Sequence, residues 1–283
     1  MESTISAGRA LFALGLLLPA AALLGLTTGA VPLGTADVLA ALVGGGDNPQ
    51  AQLIVQQIRA PRIALAAIIG AVLAISGTAM QGLFRNPLAD PSLIGVTAGA
   101  SLGASLVIVL AGNLVSGYTG LTLVSIGAFL GGTAAVVFVY RLATSAQGTS
   151  VATMLLAGIA ITALAGSATN LLEFFADNDM LRRISMWQMG GLEGANYQRL
   201  LIAALVGGVV IAGLPRFATA LNALLLGESE ARHLGIAVER VKVTLVVLVA
   251  VGVGTSVALA GTIAFVGLVV PHMVRLVIGP NHV

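Results

Sequence analysis

The chain has 283 residues, of which 58% are hydrophobic and 8% charged, with a net charge of +2 and no cysteine. A mean hydropathy of +1.03 excludes an ordinary soluble domain and demands many apolar spans of about 20 residues. So small a charge excess gives no ground for a nucleic-acid partner. Without cysteine there is no disulfide framework, iron–sulfur ligation or thiol chemistry.

In chain order, eight spans are predicted, at residues 11–30, 60–83, 92–111, 119–140, 151–175, 200–214, 241–260 and 262–278. Arg9 ahead of the first run, with small residues near Ala30, mimics a secretory signal. The run nevertheless has the length of a full span and reads as a retained helix. After the second span, Asn86-Pro87-Leu88-Ala89-Asp90-Pro91 cannot be regular helix, because each proline lacks a donor and restrains its predecessor. It reads as a tight cytoplasmic re-entry. The third and eighth spans are interrupted by Gly or Pro and are expected to be short or broken. Gly95, Gly99 and Gly103 recur every four residues and so share a helix face that another backbone can approach closely; Gly127 and Gly131 repeat the pattern.

Between the sixth and seventh spans lies a charged island, residues 221–242. It holds Glu228, Glu230, Arg232, His233, Glu239, Arg240 and Lys242, the chain's one lysine. Gly227 and Gly235 bracket a predicted short helix. In it Glu228 and Arg232 stand four apart and can pair, and Gly235 is placed to end it. A solvated connector is the bland reading. A membrane protein that concentrates its few charges in one loop more plausibly uses that loop to grip something in water.

Charge placement orients the chain. With the amino terminus in the cytoplasm, eight basic residues (Arg9, Arg85, Arg141, Arg216, Arg232, Arg240, Lys242, Arg275) lie inside. Five (Arg59, Arg62, Arg182, Arg183, Arg199) lie outside. The split follows the positive-inside rule and puts the island on the cytoplasmic side.

Several chemistries find no support. There is no Gly-Lys-Ser/Thr phosphate loop. His233, His272 and His282 are far apart in sequence and no two of them stand at metal-ligand spacing, so no metal site is expected. No span carries a central acid of the kind a proton-coupled carrier uses; Glu173 is nearest, toward the outer end of the fifth. The chain offers a pathway without a motor. A secondary transporter working alone and an assembly subunit without a pathway are the rival readings.

Five segments then carry a resemblance: RAPR at 59–62, SGTAMQGLFRNPLADPSLIGVTAGASLG at 76–103, MWQMGGL at 186–192, LLLGESEARHLGI at 224–236 and GTIAFVGLVVPHMVR at 261–275. In this order the chain resembles permease subunits of the ABC importers that take up iron-siderophores, haem and vitamin B12. The resemblance implies an all-α polytopic fold of the type II importer class. Residues 1–283 would form one permease domain with a cytoplasmic coupling loop at 215–240. The family usually has ten spans, so a chain ending at Val283 after the eighth implies truncation at the C-terminus or loss of the last two helices.

The resemblance also implies partners and roles. Partners would be a second copy of the chain, two ATP-binding subunits, a periplasmic substrate-binding protein and the lipid of a bacterial inner membrane. ATP and Mg would be bound by the ATPase, with no cofactor in this chain. Leu224, Gly227, Glu228, Glu230, Arg232, His233, Leu234 and Gly235 resemble the coupling helix that inserts into the ATPase. Arg59 and Arg62 match arginines that receive carboxylates of the binding protein, which suits exposed guanidinium groups; anchoring of a helix end at the lipid interface is the alternative. Thr149, Ser150 and Thr153 fall where the family has a cytoplasmic gate. Arg182, Arg183, Met186, Trp187, Gln188 and Met189 fall at the outer mouth of the pathway. There they would meet an anionic chelate or form an interfacial girdle. Adjacent arginines on a helix point roughly 100° apart, so at most one of Arg182 and Arg183 should face a narrow passage. An iron chelate is the expected cargo, with haem ahead and vitamin B12 the alternative.

Overall fold

The computed structural model describes residues 7–46, 48–111 and 117–279; His282 and Val283 lie outside them. Helix α1 (Ala7–Thr27) is followed by two short helices, α2 (Thr35–Leu42) and α3 (Pro49–Leu53). Asn48 caps α3 by accepting the Ala51 N–H at 3.1 Å, with Pro49 preset for the first turn. The chain continues through a π-turn (Ile54–Arg59) into α4 (Ala60–Leu83), giving one 35-residue apolar rod. Pro61 accounts for the π-turn. It has no N–H for the carbonyl four residues back, and its ring crowds that carbonyl. The helix widens just ahead of it, where the Ala60 N–H reaches the Val55 carbonyl five residues back.

The predicted break after α4 is present. Arg85 has a φ of 50°, Asn86 accepts the Leu88 N–H at 2.9 Å, and Asp90 accepts the Ser92 N–H at 2.8 Å. A 3-10 turn (Pro91–Ile94) and a left-handed Gly95 lead into α5 (Val96–Ala111). Then come α6 (Gly117–Ala143), an antiparallel hairpin of β1 (Thr144–Ser145) and β2 (Gly148–Thr149), and α7 (Val151–Phe175). Helix α8 (Asn178–Met189) is capped by Asp177, which accepts the Met180 N–H at 2.8 Å. Helix α9 (Tyr197–Gly213) passes through a 3-10 turn (Leu214–Phe217) into α10 (Ala218–Leu225). The chain ends with α11 (Glu228–His233), α12 (Val238–Ala260) and α13 (Val266–Ile278).

Six described helices are long and apolar enough to cross a membrane, and α5 and α13 are shorter apolar ones. These eight correspond to the eight expected spans. The sixth runs longer than expected, over Tyr197–Leu225, because Pro215 sits at the start of a 3-10 turn through which the helix continues. Helix α8 lies outside the expected spans, being short and carrying Asp179, Arg182 and Arg183.

Helix α12 forms the centre, packed on α4, α5, α6 and α9, with most of its residues buried. Helix α1 lies at the edge, with Leu11, Leu16 and Leu17 exposed, as suits a surface facing lipid. The glycine faces do what their spacing predicts. A Cβ on Gly103 would stand 2.1 Å from the Gly127 carbonyl oxygen, and one on Gly131 would stand 2.3 Å from that of Gly99. The backbones of α5 and α6 therefore touch along this stripe.

Candidate functional site

The charged island folds as its glycines and pairs predict. Gly227, at φ 119°, opens α11, and Gly235, at φ 83°, closes it. The Ile236 N–H reaches back to the Ala231 carbonyl at 3.0 Å and the Gly235 N–H to that of Arg232 at 2.9 Å, a left-handed glycine stop. Glu228 and Glu230 occupy the first turn and Arg232 and His233 the last, complementing the helix dipole. Arg232 stands 3.7 Å from Glu228 and 3.6 Å from Glu239, and His233 stands 3.9 Å from Glu230. Leu224 is buried, whereas Glu230, Arg232, His233 and Leu234 point outward. The outward set makes a short helix with mixed charge and an apolar residue, Leu234, at its end.

Behind this face lies an arrangement that spacing alone did not reveal. Lys242 is 1% exposed. Its ammonium donates to the Glu228 carboxylate at 2.7 Å, to Glu239 at 3.2 Å and to the Thr149 carbonyl at 2.6 Å. The Thr149 N–H in turn donates to Glu239 at 2.9 Å. The hairpin is thus tied to α11 and to the first turn of α12, so both lie at one end of the bundle, as the orientation argument requires. Of the three expected gate residues, Thr149 is buried and its hydroxyl meets Thr144 (3.0 Å) and Tyr140 (3.2 Å). Ser150 caps α7 by accepting the Thr153 N–H at 3.2 Å, and Thr153 donates its hydroxyl to Ser150 at 3.0 Å; both residues are exposed.

At the opposite end the two expected docking arginines part company. Arg62 is exposed. Arg59 is not the exposed residue that carboxylate docking needs: it is buried, and its guanidinium donates to the Leu26 carbonyl at 2.6 Å and to that of Val31. These carbonyls belong to the last turn of α1 and the loop beyond, where a cation is favoured.

Helix α8 brings Arg183, Met186 and Trp187 to one side. With Glu193 and Arg199 they line a cavity of about 600 Å³ beside the end of α12. Arg183 pairs with Asp179 at 2.8 Å. Arg182 points away into an exposed position, as does Met189. Gln188 turns instead to Glu173, donating at 3.2 Å, and its carbonyl accepts from the Thr262 hydroxyl. Arg199, which charge counting places outside, is buried and donates to the Leu259 carbonyl at 2.9 Å and the Ser125 hydroxyl at 3.2 Å. The sequence signal for it was its place in the first turn after a capping asparagine, Asn196.

Residues 17–283 match the family described as the FecCD transport family. The chain is 45% identical over 226 residues to the hemin transport system permease protein HmuU of Yersinia pestis, covering 80% of this chain and 67% of that one. It is 44% identical over 232 residues to the cobalamin import system permease protein BtuC of Halobacterium salinarum, covering 82% and 61%. The matched part thus spans about two thirds of these relatives' length. A solved inward-facing structure described as a metal-chelate type ABC transporter superposes with a TM-score of 0.84 at 30% identity, over 97% of this chain and 83% of that one. A polytopic helical bundle and a family match over residues 17–283 lead to one conclusion: the chain belongs to the FecCD transport family.

Proposed function

We propose that the chain is the transmembrane permease subunit of an ATP-driven ABC importer in a bacterial inner membrane, carrying an iron chelate from periplasm to cytoplasm. Two copies would pair, dock two ATP-binding subunits through α11 and receive cargo from a periplasmic binding protein. The observation that supports this reading most is α11 itself. It is a glycine-bracketed, charge-bearing helix that projects from the same end as the hairpin and is tied to it through a buried lysine. The test is co-purification with the ATPase of the importer, followed by ATP-dependent uptake.

Delivery rests on Arg62 rather than on the arginine pair. Arg62→Glu is expected to leave the fold intact and to slow binding-protein association about tenfold at low salt, an effect that fades as salt rises. Arg59→Glu is expected to reduce folded yield instead, because it sets a carboxylate against the Leu26 and Val31 carbonyls. Association rates by surface plasmon resonance and yield by size-exclusion chromatography separate the two. Equal association rates for wild type and Arg62→Glu at low salt would leave Arg62 as an interfacial anchor.

Haem or a ferric siderophore is the favoured cargo class because the cavity beside α8 carries Arg183 and Arg199, against the one carboxylate of Glu193, next to Trp187. The 44% identical cobalamin relative keeps vitamin B12 as the second reading. Arg183→Ala is expected to cut uptake of an anionic chelate about 10–100-fold, the loss of one charge-assisted hydrogen bond. Arg182→Ala should be mild. Uptake of haemin, a ferric siderophore and vitamin B12 into proteoliposomes holding the full importer checks this; small, equal effects on all three remove both arginines from the pathway.

A further inference from the structure

An ammonium group has three N–H donors and no acceptor, and Lys242 spends each on a different element. One goes to Glu228 on α11, one to Glu239 on α12, and one to the Thr149 carbonyl at the end of the hairpin. The side chain is 1% exposed, while its carboxylate partners Glu228 and Glu239 reach solvent at 30% and 41% exposure; losing one partner leaves a buried charge under-compensated. Two further features hold the hairpin against this point. The Thr149 N–H donates to Glu239. Gly148, at φ 117°, comes so close that a Cβ there would stand 2.9 Å from the Glu239 carboxylate. Helix α7 starts at once beyond the anchor, with Ser150 as its cap and the Ser150 N–H bonded to the Ala143 carbonyl at 2.9 Å. Glu228 and Glu239 balance Lys242 and Arg232, so the cluster is neutral without a counter-ion.

We propose that Lys242 is a positioning residue for transport, the rigid link by which displacement of α11 is passed to the 144–149 hairpin and the first turn of α7. This rests on the importer reading, in which α11 is the element a partner ATPase moves. Of the island's charged side chains Glu230, Arg232, His233 and Arg240 are exposed, whereas Lys242 is buried. Its role is to make α11 and the hairpin move as one body, where a flexible loop would let α11 move while α7 stayed still. A compact ammonium suits a point where three elements converge, whereas the planar fork of arginine does not.

The chain has no cysteine, so spin labels can be placed cleanly. Ser145→Cys on the hairpin, Ser229→Cys on α11 and Leu205→Cys on α9 are all exposed positions. Pulsed electron-spin distances are measured in pairs, in the importer assembled with its ATPase, without nucleotide and with ATP and vanadate. In the otherwise native chain the 145–229 distance should stay constant between the two states while 145–205 and 229–205 change together. In Lys242→Met the 145–229 distribution should broaden or shift on nucleotide binding. Permease-dependent stimulation of ATP hydrolysis should fall by about 5–150-fold, the usual span of coupling free energies. Lys242→Arg, which keeps the charge, should retain more coupling than Lys242→Met. A 145–229 distance that shifts with nucleotide in the otherwise native chain overturns the proposal, whether or not the Lys242 variants fold. So does a Lys242→Met importer with unchanged distances and stimulation. Failure of the ATPase to bind the native chain at all would overturn the importer reading, and the relay with it.

Discussion

Gly77→Leu is expected to abolish assembly of the bundle. A Cβ on Gly77 would stand 1.7 Å from the Gly267 carbonyl oxygen and 2.6 Å from its carbon, deep inside any contact distance. The obstacle is backbone, so no rotamer change relieves it; α4 and α13 would have to separate. Overpacking a well-formed core commonly costs about 1–3 kcal/mol when side chains can give way, and here they cannot. The contact also sits where α13 is held, since Arg275 reaches the Thr78 carbonyl at 3.4 Å. Gly70, one helical stretch earlier on α4, has nothing within 4 Å of the same added atom. Gly70→Leu should therefore express and purify as the parent chain does, while Gly77→Leu should give aggregated or degraded protein. Monodisperse yield in detergent checks the pair, and comparable yields would mean that α4 and α13 are not in backbone contact.

Replacing Glu228, Glu230 and Arg232 together with alanine is expected to uncouple ATP hydrolysis from uptake while the spans still insert. The three residues do different things. Glu230 and Arg232 belong to the outward face, more than half exposed, and their loss removes charge that a partner would meet. Glu228 faces inward to Lys242 at 2.7 Å, so its loss loosens α11 from the hairpin. Glu230→Ala alone should therefore weaken ATPase docking with little effect on stability. Glu228→Ala alone should lower coupling even where docking persists. For the triple variant, uptake should fall about 5–150-fold, with hydrolysis by the bound ATPase no longer tracking it. Insertion is checked by protease protection in membranes, docking by pull-down, and coupling by the ratio of cargo moved to ATP consumed.

Much of the fold was legible in the sequence, because in a membrane protein the strongest physical constraint is also the most visible pattern. Apolar runs of span length mark the helices, and prolines at 87 and 91 with glycine at 95 mark the break that shortens α5. The stripe of Gly99, Gly103, Gly127 and Gly131 was readable because spacing of four fixes a helix face, whatever the tertiary structure. Helix α8 was harder: twelve residues with three charges do not look like a span, and it packs against α5, more than sixty residues earlier in the chain. The π-turn ahead of Pro61 was equally hidden, since it is a local answer to one missing donor.

The same contrast holds for the functional residues. Glycines at 227 and 235 and charges four apart announce α11, because a short helix is a local object. The burial of Lys242 joins residues more than ninety positions apart, and no local pattern encodes that. Arg59 shows the reverse error. Its motif and charge suited an exposed partner site, yet the π-turn and the end of α1 enclose it. The sequence supplied the charge, but only the packing says whether a neighbouring helix or another protein receives it.

The most direct measurement is cargo uptake into proteoliposomes containing this chain with its ATPase and loaded binding protein, using haemin as the probe. It is run with ATP inside, without ATP, and with the triple alanine variant of Glu228, Glu230 and Arg232. Uptake should require both ATP and the ATPase, and it should collapse in the variant although α4, α12 and the other spans are inserted. Uptake driven by an ion gradient with the chain alone, or ATP-driven uptake at the parent level in the variant, would contradict a permease worked through α11.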